Sequence, residues 1–337
     1  MSGHVLAVRS DSLGDVLVTG PALRAVRAGA DRLTLLCGPR VCAAAEMLPP
    51  VDEVLAFHAA WIDPDPMPVR RSEIAGLVER VEALRVDRAV IFTSFHQSPL
   101  PMALVLRLAG VPWIGAISVD YPGSLLDLRH RVDDDIHEVE RALSLAAAAG
   151  FAVPEGDDRR LAVRAAPPPI DLPPPYVVVH PGASVPARAW TPERHAELVR
   201  VLAAQGRTVV VTGAPDERAL TATVAGSAID LGGRTDLGGL AAVLAGAEAV
   251  IVGNTGPAHL AAAVRTPVVS LFAPTVPAVR WRPWGVPHAL LHAPVPCAGC
   301  RARVCPVDGH PCLERVTVQD VVAALDELAP RPVEVAA

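Results

Sequence analysis

Short apolar runs and longer mixed segments alternate along the first half of the chain. HVLAVRS (4–10), RLTLLCG (32–38), EVLAFH (53–58) and RAVIFTS (88–94) are rich in β-branched and apolar residues and predict strands. GPALRAVRAG (20–29), RVCAAAEML (40–48), RSEIAGLVERVEALR (71–85) and PMALVLRLAG (101–110) predict helices between them. DIHEVERALSLAAAAG (135–150) predicts a long helix closing this half, with Gly150 as its stop signal. Alternation of this kind implies a parallel sheet covered on both faces.

At residues 164–175 the pattern stops. RAAPPPIDLPPP cannot be a helix interior or a central strand. A proline-rich stretch between two alternating patterns predicts a domain linker. The alternation then restarts with strand YVVVHPGAS (176–184) and helix TPERHAELVRVLAAQG (191–206). That helix has Thr191 as N-cap, Pro192 in its first turn and Gly206 as its stop. TVVVTGAP (208–215), AIDLGG (228–233), AVIVGN (249–254) and PVVSLFAP (267–274) supply strands. DERALTATVAG (216–226), DLGGLAAVLAGA (236–247) and GPAHLAAAV (256–264) supply helices. TVQDVVAALDELA (317–329) closes the chain as a helix after a cysteine-rich stretch. The expected divisions are a first domain at 1–166, a linker at 167–175 and a second domain at 176–316. The second domain contains the cysteine-rich segment 296–313, and a closing helix and tail occupy 317–337. Two doubly wound α/β domains facing a central cleft suit a two-substrate enzyme, because open α/β sheets bind ligands beyond the carboxyl ends of their strands.

Composition adds three constraints. The chain of 337 residues is long enough for two such domains. It is 51% hydrophobic with mean hydropathy +0.35, yet no stretch approaches the ~20 unbroken apolar residues of a membrane helix. MSGHVLAVRSDSLG lacks a charged segment followed by an apolar one, so a cytoplasmic protein with no signal peptide is expected. All 30 basic residues are arginine, so any cationic site must use Arg. The net charge of −6 argues against a nucleic-acid surface. It is uneven: residues 1–166 carry 17 Arg against 22 acids, and residues 167–337 carry 13 against 14.

Three loops of the second half carry candidate chemistry. HPGASVPARAW (180–190) combines Gly182, Ser184 and Arg188: close backbone approach, a hydroxyl donor and a forked anion clamp. TGAPDE (212–217) places Glu217 at a helix start, where it either caps amides or binds ribose hydroxyls. GNTGPAHLAAA (253–263) turns at Gly256 and Pro257 into a helix. Asn254, Thr255, His259 and free N–H groups lie at its positive end, with no acid, as a diphosphate cradle requires. Singly, each has a plainer explanation: Asn254 as a cap, Arg188 on the surface, His259 in the core. The loop after the first strand has the opposite character, since Asp11 and Asp15 would repel a phosphate.

RSDSLGDVLVTGPALRAVR, HPGASVPARAW, TGAPDE and GRTDLGGLAAVLAGAEAVIVGNTGPAHLAAAVRTPVVSLFAPT, followed by PC-x2-C, C and PCL, resemble the ADP-heptose:lipopolysaccharide heptosyltransferases, glycosyltransferase family 9. The resemblance runs in order from about residue 4 to 328. It implies the GT-B fold, with an N-terminal acceptor domain, a C-terminal donor domain and a C-terminal helix packing back on the N-terminal domain. It implies Asp15 as general base, with Asp11, where the family has an uncharged residue, as a second candidate. It implies Arg188, in the position of the family's lysine, on the diphosphate leaving group, and Ser184 beside it. It implies Glu217 on the adenosine ribose, Thr235 and Leu237 at the adenine, and Thr255, Gly256 and His259 on the phosphates. Asn254 departs from the family's Asp and puts the donor sugar in question. The implied reaction is inverting transfer from an ADP-sugar, heptose or a related sugar, to an acceptor hydroxyl, with no metal or other cofactor in catalysis.

Cys297, Cys300, Cys305 and Cys312 form C-x2-C-x4-C-x6-C, which reads as a structural metal site, zinc before an iron–sulfur cluster, with His310 as a spare ligand. Unligated thiols are the alternative. The acidic first half, with DDD at 133–135, Asp120 and Asp127, suggests a neutral or cationic acceptor, such as a natural-product intermediate, in place of an anionic core glycan; solvated acidic faces would explain it equally. His96, Gln97 and Tyr121, with Asp11, are candidate acceptor contacts. The competing functions are a GT-B epimerase or hydrolase, a sensor that binds without turnover, and a dinucleotide oxidoreductase. Absence of G-x-G-x-x-G after either first strand argues against the last. The oligomeric state stays open, a monomer being compatible.

Overall fold

The computed structural model describes residues 3–63, 66–133, 135–164, 167 and 170–330. Asp134 of the acidic run, residues 165, 166, 168 and 169 of the proline-rich linker, and the tail 331–337 lie outside the described residues. The chain folds as two compact units, Met1–Val163 and Arg164–Ala337.

The first unit runs β1 (His4–Arg9), α1 (Leu13–Ala28), β2 (Arg32–Cys37), α2 (Cys42–Met47), β3 (Glu53–Ala56), α3 (Arg71–Leu84), β4 (Arg88–Ile91), α4 (Leu100–Leu108), β5 (Trp113–Ile117), β6 (Leu128–His130) and α5 (Glu138–Ala148). Its strands form one parallel sheet in the order β3-β2-β1-β4-β5-β6. The core joins Leu6, Val8, Leu36 and Ile91 of the sheet to Leu77 and Val81 of α3 and Met102 and Leu106 of α4. Helix α1 begins at Leu13, seven residues before the predicted Gly20, and runs through Pro21. Ser12 supplies the reason: its Oγ accepts from the Asp15 amide at 3.3 Å and donates to Asp15 Oδ2 at 2.6 Å, fixing the first turn.

The second unit runs β7 (Tyr176–His180), α6 (Pro192–Ala204), β8 (Thr208–Val211), α7 (Arg218–Ala225), β9 (Ile229–Asp230), α8 (Leu237–Ala245), β10 (Ala249–Gly253), α9 (Gly256–Ala263), β11 (Val268–Leu271), α10 (Ala278–Trp281), β12 (His288–Leu291), α11 (Pro311–Glu314) and α12 (Val318–Leu328). Its parallel sheet has the order β12-β11-β10-β7-β8-β9, the same topology as the first. Gly150 and Gly206 stop α5 and α6 at φ 85° and 79°, conformations glycine adopts without a Cβ penalty.

The closing helix α12 packs on α6, β11 and β12 of its own unit. Its apolar face, Val318, Val321 and Leu325, is buried in the second core with Trp190, Leu198 and Val269. Among the described residues, no helix is long and apolar enough to cross a membrane.

Candidate active site

Both sheets reverse direction at one point, between β1 and β4 and between β7 and β10. Loops leaving the carboxyl ends of those strands are where doubly wound sheets build sites. In the first unit they are residues 10–12, which lead into α1, and residues 92–99, which lead into α4.

Arg9 ends β1 and is 1% exposed. Its Nε lies 2.7 Å from Asp11 Oδ1, and its Nη2 lies 2.8 Å from Asp15 Oδ1 and 3.2 Å from Glu138 Oε2. Nη2 also donates to Ser94 Oγ at 3.0 Å, and Ser94 Oγ donates to Asp11 Oδ2 at 2.7 Å. Burial opposes the Arg9 charge, but the three carboxylates outweigh it and raise its pKa. Burial, followed by the neighbouring Asp15, lifts Asp11 to about 6 against the pull of Arg9, and burial also raises Glu138.

Asp15 and Asp11 therefore belong to one network. Gln97 joins it indirectly, its Oε1 accepting from the Ser94 amide at 2.9 Å. His96 is exposed and stacks edge-on to Phe95, with ring centroids 5.2 Å apart. Tyr121 is exposed on the segment after β5. Of the acids that set the charge of this half, Asp120, Asp133 and Asp135 are exposed, while Asp127 pairs with Arg107 at 2.5 Å and caps the Ile114 amide. Arg9, Ser94 and Glu138 were not singled out from the sequence. A charged residue ending an apolar strand was the available sign for Arg9; nothing local announces Glu138, which arrives on α5 from far along the chain.

In the second unit the expected loops converge through backbone contacts. A Cβ on Gly182 would lie 2.0 Å from Glu217 Oε1, so the first loop rests on the acid of the second. Glu217 Oε2 accepts from the Ala214 amide at 2.8 Å and lies 4.0 Å from His180 Nε2. Burial depresses His180 to about 4, so its ring is neutral at pH 7. A Cβ on Gly253 would lie 3.1 Å from the Arg188 carbonyl, which brings the third loop against the first. Gly233 N donates to Gly213 O at 2.8 Å, drawing in the segment with Thr235 and Leu237 on either side of Asp236, the α8 N-cap. Ser184 is exposed and Arg188 half-buried on the turn Pro186–Arg188.

The start of α9 carries unspent polar atoms. Thr255 is its N-cap, yet its hydroxyl makes no capping bond, and Oγ1 is buried without a hydrogen-bond partner among the described residues. Asn254 Nδ2 donates to Ala273 O at 3.2 Å, while its buried Oδ1 has no such partner. Thr275 Oγ1, after the neighbouring strand β11, is in the same condition and was not foreseen. Buried polar atoms are ordinarily satisfied by protein, ordered water or ligand, so this group is a candidate binding position. Gly256 opens the helix, and His259 is buried in its first turns.

Cys297, Cys300, Cys305 and Cys312 line one cavity of about 20 Å³ with His310, Ala187 and Thr275. That is room for one water or ion. The thiols are free, and burial raises the pKa of Cys312. Among the described residues, no three His, Cys, Asp or Glu side chains are gathered as a coordination set. His310 is already engaged, its Nε2 lying 3.1 Å from Ala187 O, and Ala187 N donates to Arg303 O at 2.9 Å. The cysteine-rich segment thus braces the turn that carries Arg188.

Two doubly wound units of the same strand order define a two-unit Rossmann-like α/β protein. The chain belongs to glycosyltransferase family 9 (heptosyltransferase), which it matches over residues 96–310. It is 30% identical over 166 residues to lipopolysaccharide heptosyltransferase 3 of Escherichia coli, covering 46% of this chain and 47% of that one. Its matches to such curated relatives span a third to about half of their length. A family 9 glycosyl transferase from Veillonella parvula superposes with TM-score 0.76 at 16% identity, covering 97% of each chain. The E. coli heptosyltransferase WaaC with ADP gives 0.70 at 22%, covering 97% of this chain and 99% of that one. The iron-containing dodecameric glycosyltransferase TibC of enterotoxigenic E. coli gives 0.57 at 15%, covering 97% and 76%. At these identities the structural likeness shows the fold alone.

Proposed function

We propose that the chain is an inverting glycosyltransferase moving heptose, or a related sugar, from an ADP-sugar to an acceptor hydroxyl. The carrying observation is the buried, unsatisfied Thr255 hydroxyl at the acid-free start of α9, beside the Asn254 amide oxygen. A diphosphate placed there meets the positive end of a helix, a free hydroxyl donor and, from the adjoining turn, Arg188. Glu217 takes the ribose hydroxyls. The E. coli WaaC structure that shares this fold holds ADP, which supports the same nucleotide here.

In this reading Asp15 accepts the proton of the acceptor hydroxyl as its oxygen attacks the anomeric carbon. The bond from that carbon to the diphosphate breaks, and the charge released onto ADP meets Arg188 and the α9 amides. The surface of the loop after β1 presents Asp15 and no cation, because Arg9 is buried. This favours a neutral or cationic acceptor. The reading of a structural zinc rests on the C-x2-C-x4-C-x6-C spacing, since the four thiols line one cavity without being gathered as a coordination set. Such an ion would hold segment 297–312 together beneath the Arg188 turn.

Calorimetric titration with ADP, UDP, GDP and NAD tests the nucleotide, and ADP-heptose with neutral, amino and phosphorylated acceptors tests transfer. Selective ADP binding and a glycosylated neutral or amino product are expected. Preference for UDP or GDP would overturn the donor, and efficient transfer to a phosphorylated core lipid would overturn the acceptor. Elemental analysis of the purified protein decides among zinc, iron and no metal.

A further inference from the structure

An aspartate held 2.8 Å from a buried guanidinium is a poor base, because the arginine stabilises its charged form. General bases work best with proton affinity near the working pH. The first unit contains the remedy. Arg9 Nη2 has two hydrogens and three acceptors: Asp15 Oδ1 at 2.8 Å, Ser94 Oγ at 3.0 Å and Glu138 Oε2 at 3.2 Å. Asp11 engages the same guanidinium through Nε at 2.7 Å.

We propose that Asp11 and Glu138 are positioning residues that divide the charge of Arg9 and so keep Asp15 able to accept a proton. The proposal rests on Asp15 being the general base. Neither residue needs to touch substrate: Glu138 is 1% exposed and the Asp11 side chain 9%. Their added negative charge, close to Asp15, favours its protonated form. Ser94 couples the pair, since its hydroxyl donates to Asp11 Oδ2 at 2.7 Å and stands 3.5 Å from Asp15 Oδ1. Arg141 also faces the cluster, its Nε lying 3.9 Å from Glu138 Oε1 and 3.4 Å from Thr93 O. It holds Glu138 from the side away from Arg9. His137, the preceding residue, caps α5 by accepting from the Val139 amide at 3.1 Å. Burial also raises the pKa of both Asp11 and Glu138, as charge sharing in a dry site requires.

The test is the pH dependence of kcat for the full chain and for Asp11→Asn, Glu138→Gln, Asp11→Glu and Asp15→Asn. Asp11→Asn and Glu138→Gln are each expected to move the acidic limb of kcat down by about one pH unit and to lower plateau kcat about tenfold, with both KM values nearly unchanged. Asp11→Glu should restore the limb. An unmoved limb in both variants overturns the proposal and leaves the cluster as structural. Should Asp11→Asn fail to fold, Glu138→Gln decides alone. Asp15→Asn separates the two layers: retained kcat removes the base reading itself, whereas lost kcat with unmoved limbs removes only the role given to Asp11 and Glu138.

Discussion

The loops after β1 and after β10 each leave a switch-point strand, the first strand of one sheet and the fourth of the other, in two sheets of identical topology, yet their chemistry is opposite. The first leads into α1 with Asp15 in its first turn and gathers Asp11 and Glu138 around a buried arginine. The second enters α9 with no acid in the first turn and leaves Thr255 and Asn254 unsatisfied. The helix dipole is common to both, so the dipole does not decide what binds. At the first loop it stabilises a carboxylate; at the second, in the proposed function, it faces the diphosphate of the donor. Side chains within two or three positions of the helix start set the sign of each site.

The largest effects should follow from removing the defining charge of each. Asp15→Asn is expected to lower kcat by about 10²–10⁴-fold while leaving ADP affinity unchanged by calorimetry. Loss of ADP binding in this variant would break the division of labour between the loops. Arg188→Ala should lower kcat by about 10²–10³-fold, the range for removing one donor to a developing anion. Acceptor KM, measured alongside, should hold.

The acidic cluster also predicts an unusual pH dependence of stability. The folded protein raises Asp11 from 3.8 to about 6, so this group stabilises the fold fully below pH 4 and the contribution is lost as pH rises through 6. Two pH units correspond to about 3 kcal/mol. Urea unfolding at pH 4 and pH 7 should therefore show the wild type losing about 3 kcal/mol relative to Asp11→Asn across that window. A constant difference between the two proteins would show that Asp11 carries no raised proton affinity.

Much of this architecture was legible in the chain itself. Four strands of the first sheet and the strands and helices that flank the three loops of the second unit follow from apolar runs and glycine punctuation. Strands β5, β6 and β12 did not, because Gly115 breaks the apolar run of WIGAI and LRH and HALL carry polar residues in a few positions, so that pairing with neighbouring strands is what makes them strands. The early start of α1 was hidden by Pro21, which ordinarily begins a helix and here sits inside one. At the candidate sites, residues near a loop in sequence could be singled out, and those delivered by a distant helix, Glu138 above all, could not. A one-dimensional pattern carries period and composition, not which helix ends beside which strand.

Gly182 offers a way to sharpen the second loop cluster without touching a charge. A methyl group there would meet the Glu217 carboxylate, the flexible end of a side chain, which must swing away. Gly182→Ala should weaken ADP binding by about tenfold to a hundredfold, as for loss of a charge-assisted hydrogen bond, with thermal stability nearly unchanged. Unchanged affinity would mean that Glu217 serves only as the cap of the Ala214 amide.

The smallest effect concerns the brace beneath Arg188. His310 sits at φ 39°, a left-handed conformation that asparagine also tolerates, so His310→Asn keeps the backbone while withdrawing the contact to Ala187 O. The second tie, Ala187 N to Arg303 O, remains. Loss of one hydrogen bond of ordinary net strength should weaken ADP binding by about threefold to tenfold. The same variant should bind ADP as before if the cysteine-rich segment stabilises only itself. The contrast with the first unit then becomes quantitative. There, supporting residues act through charge and should show in a pH profile. Here they act through geometry, and their removal should change donor affinity equally at every pH at which the protein is folded.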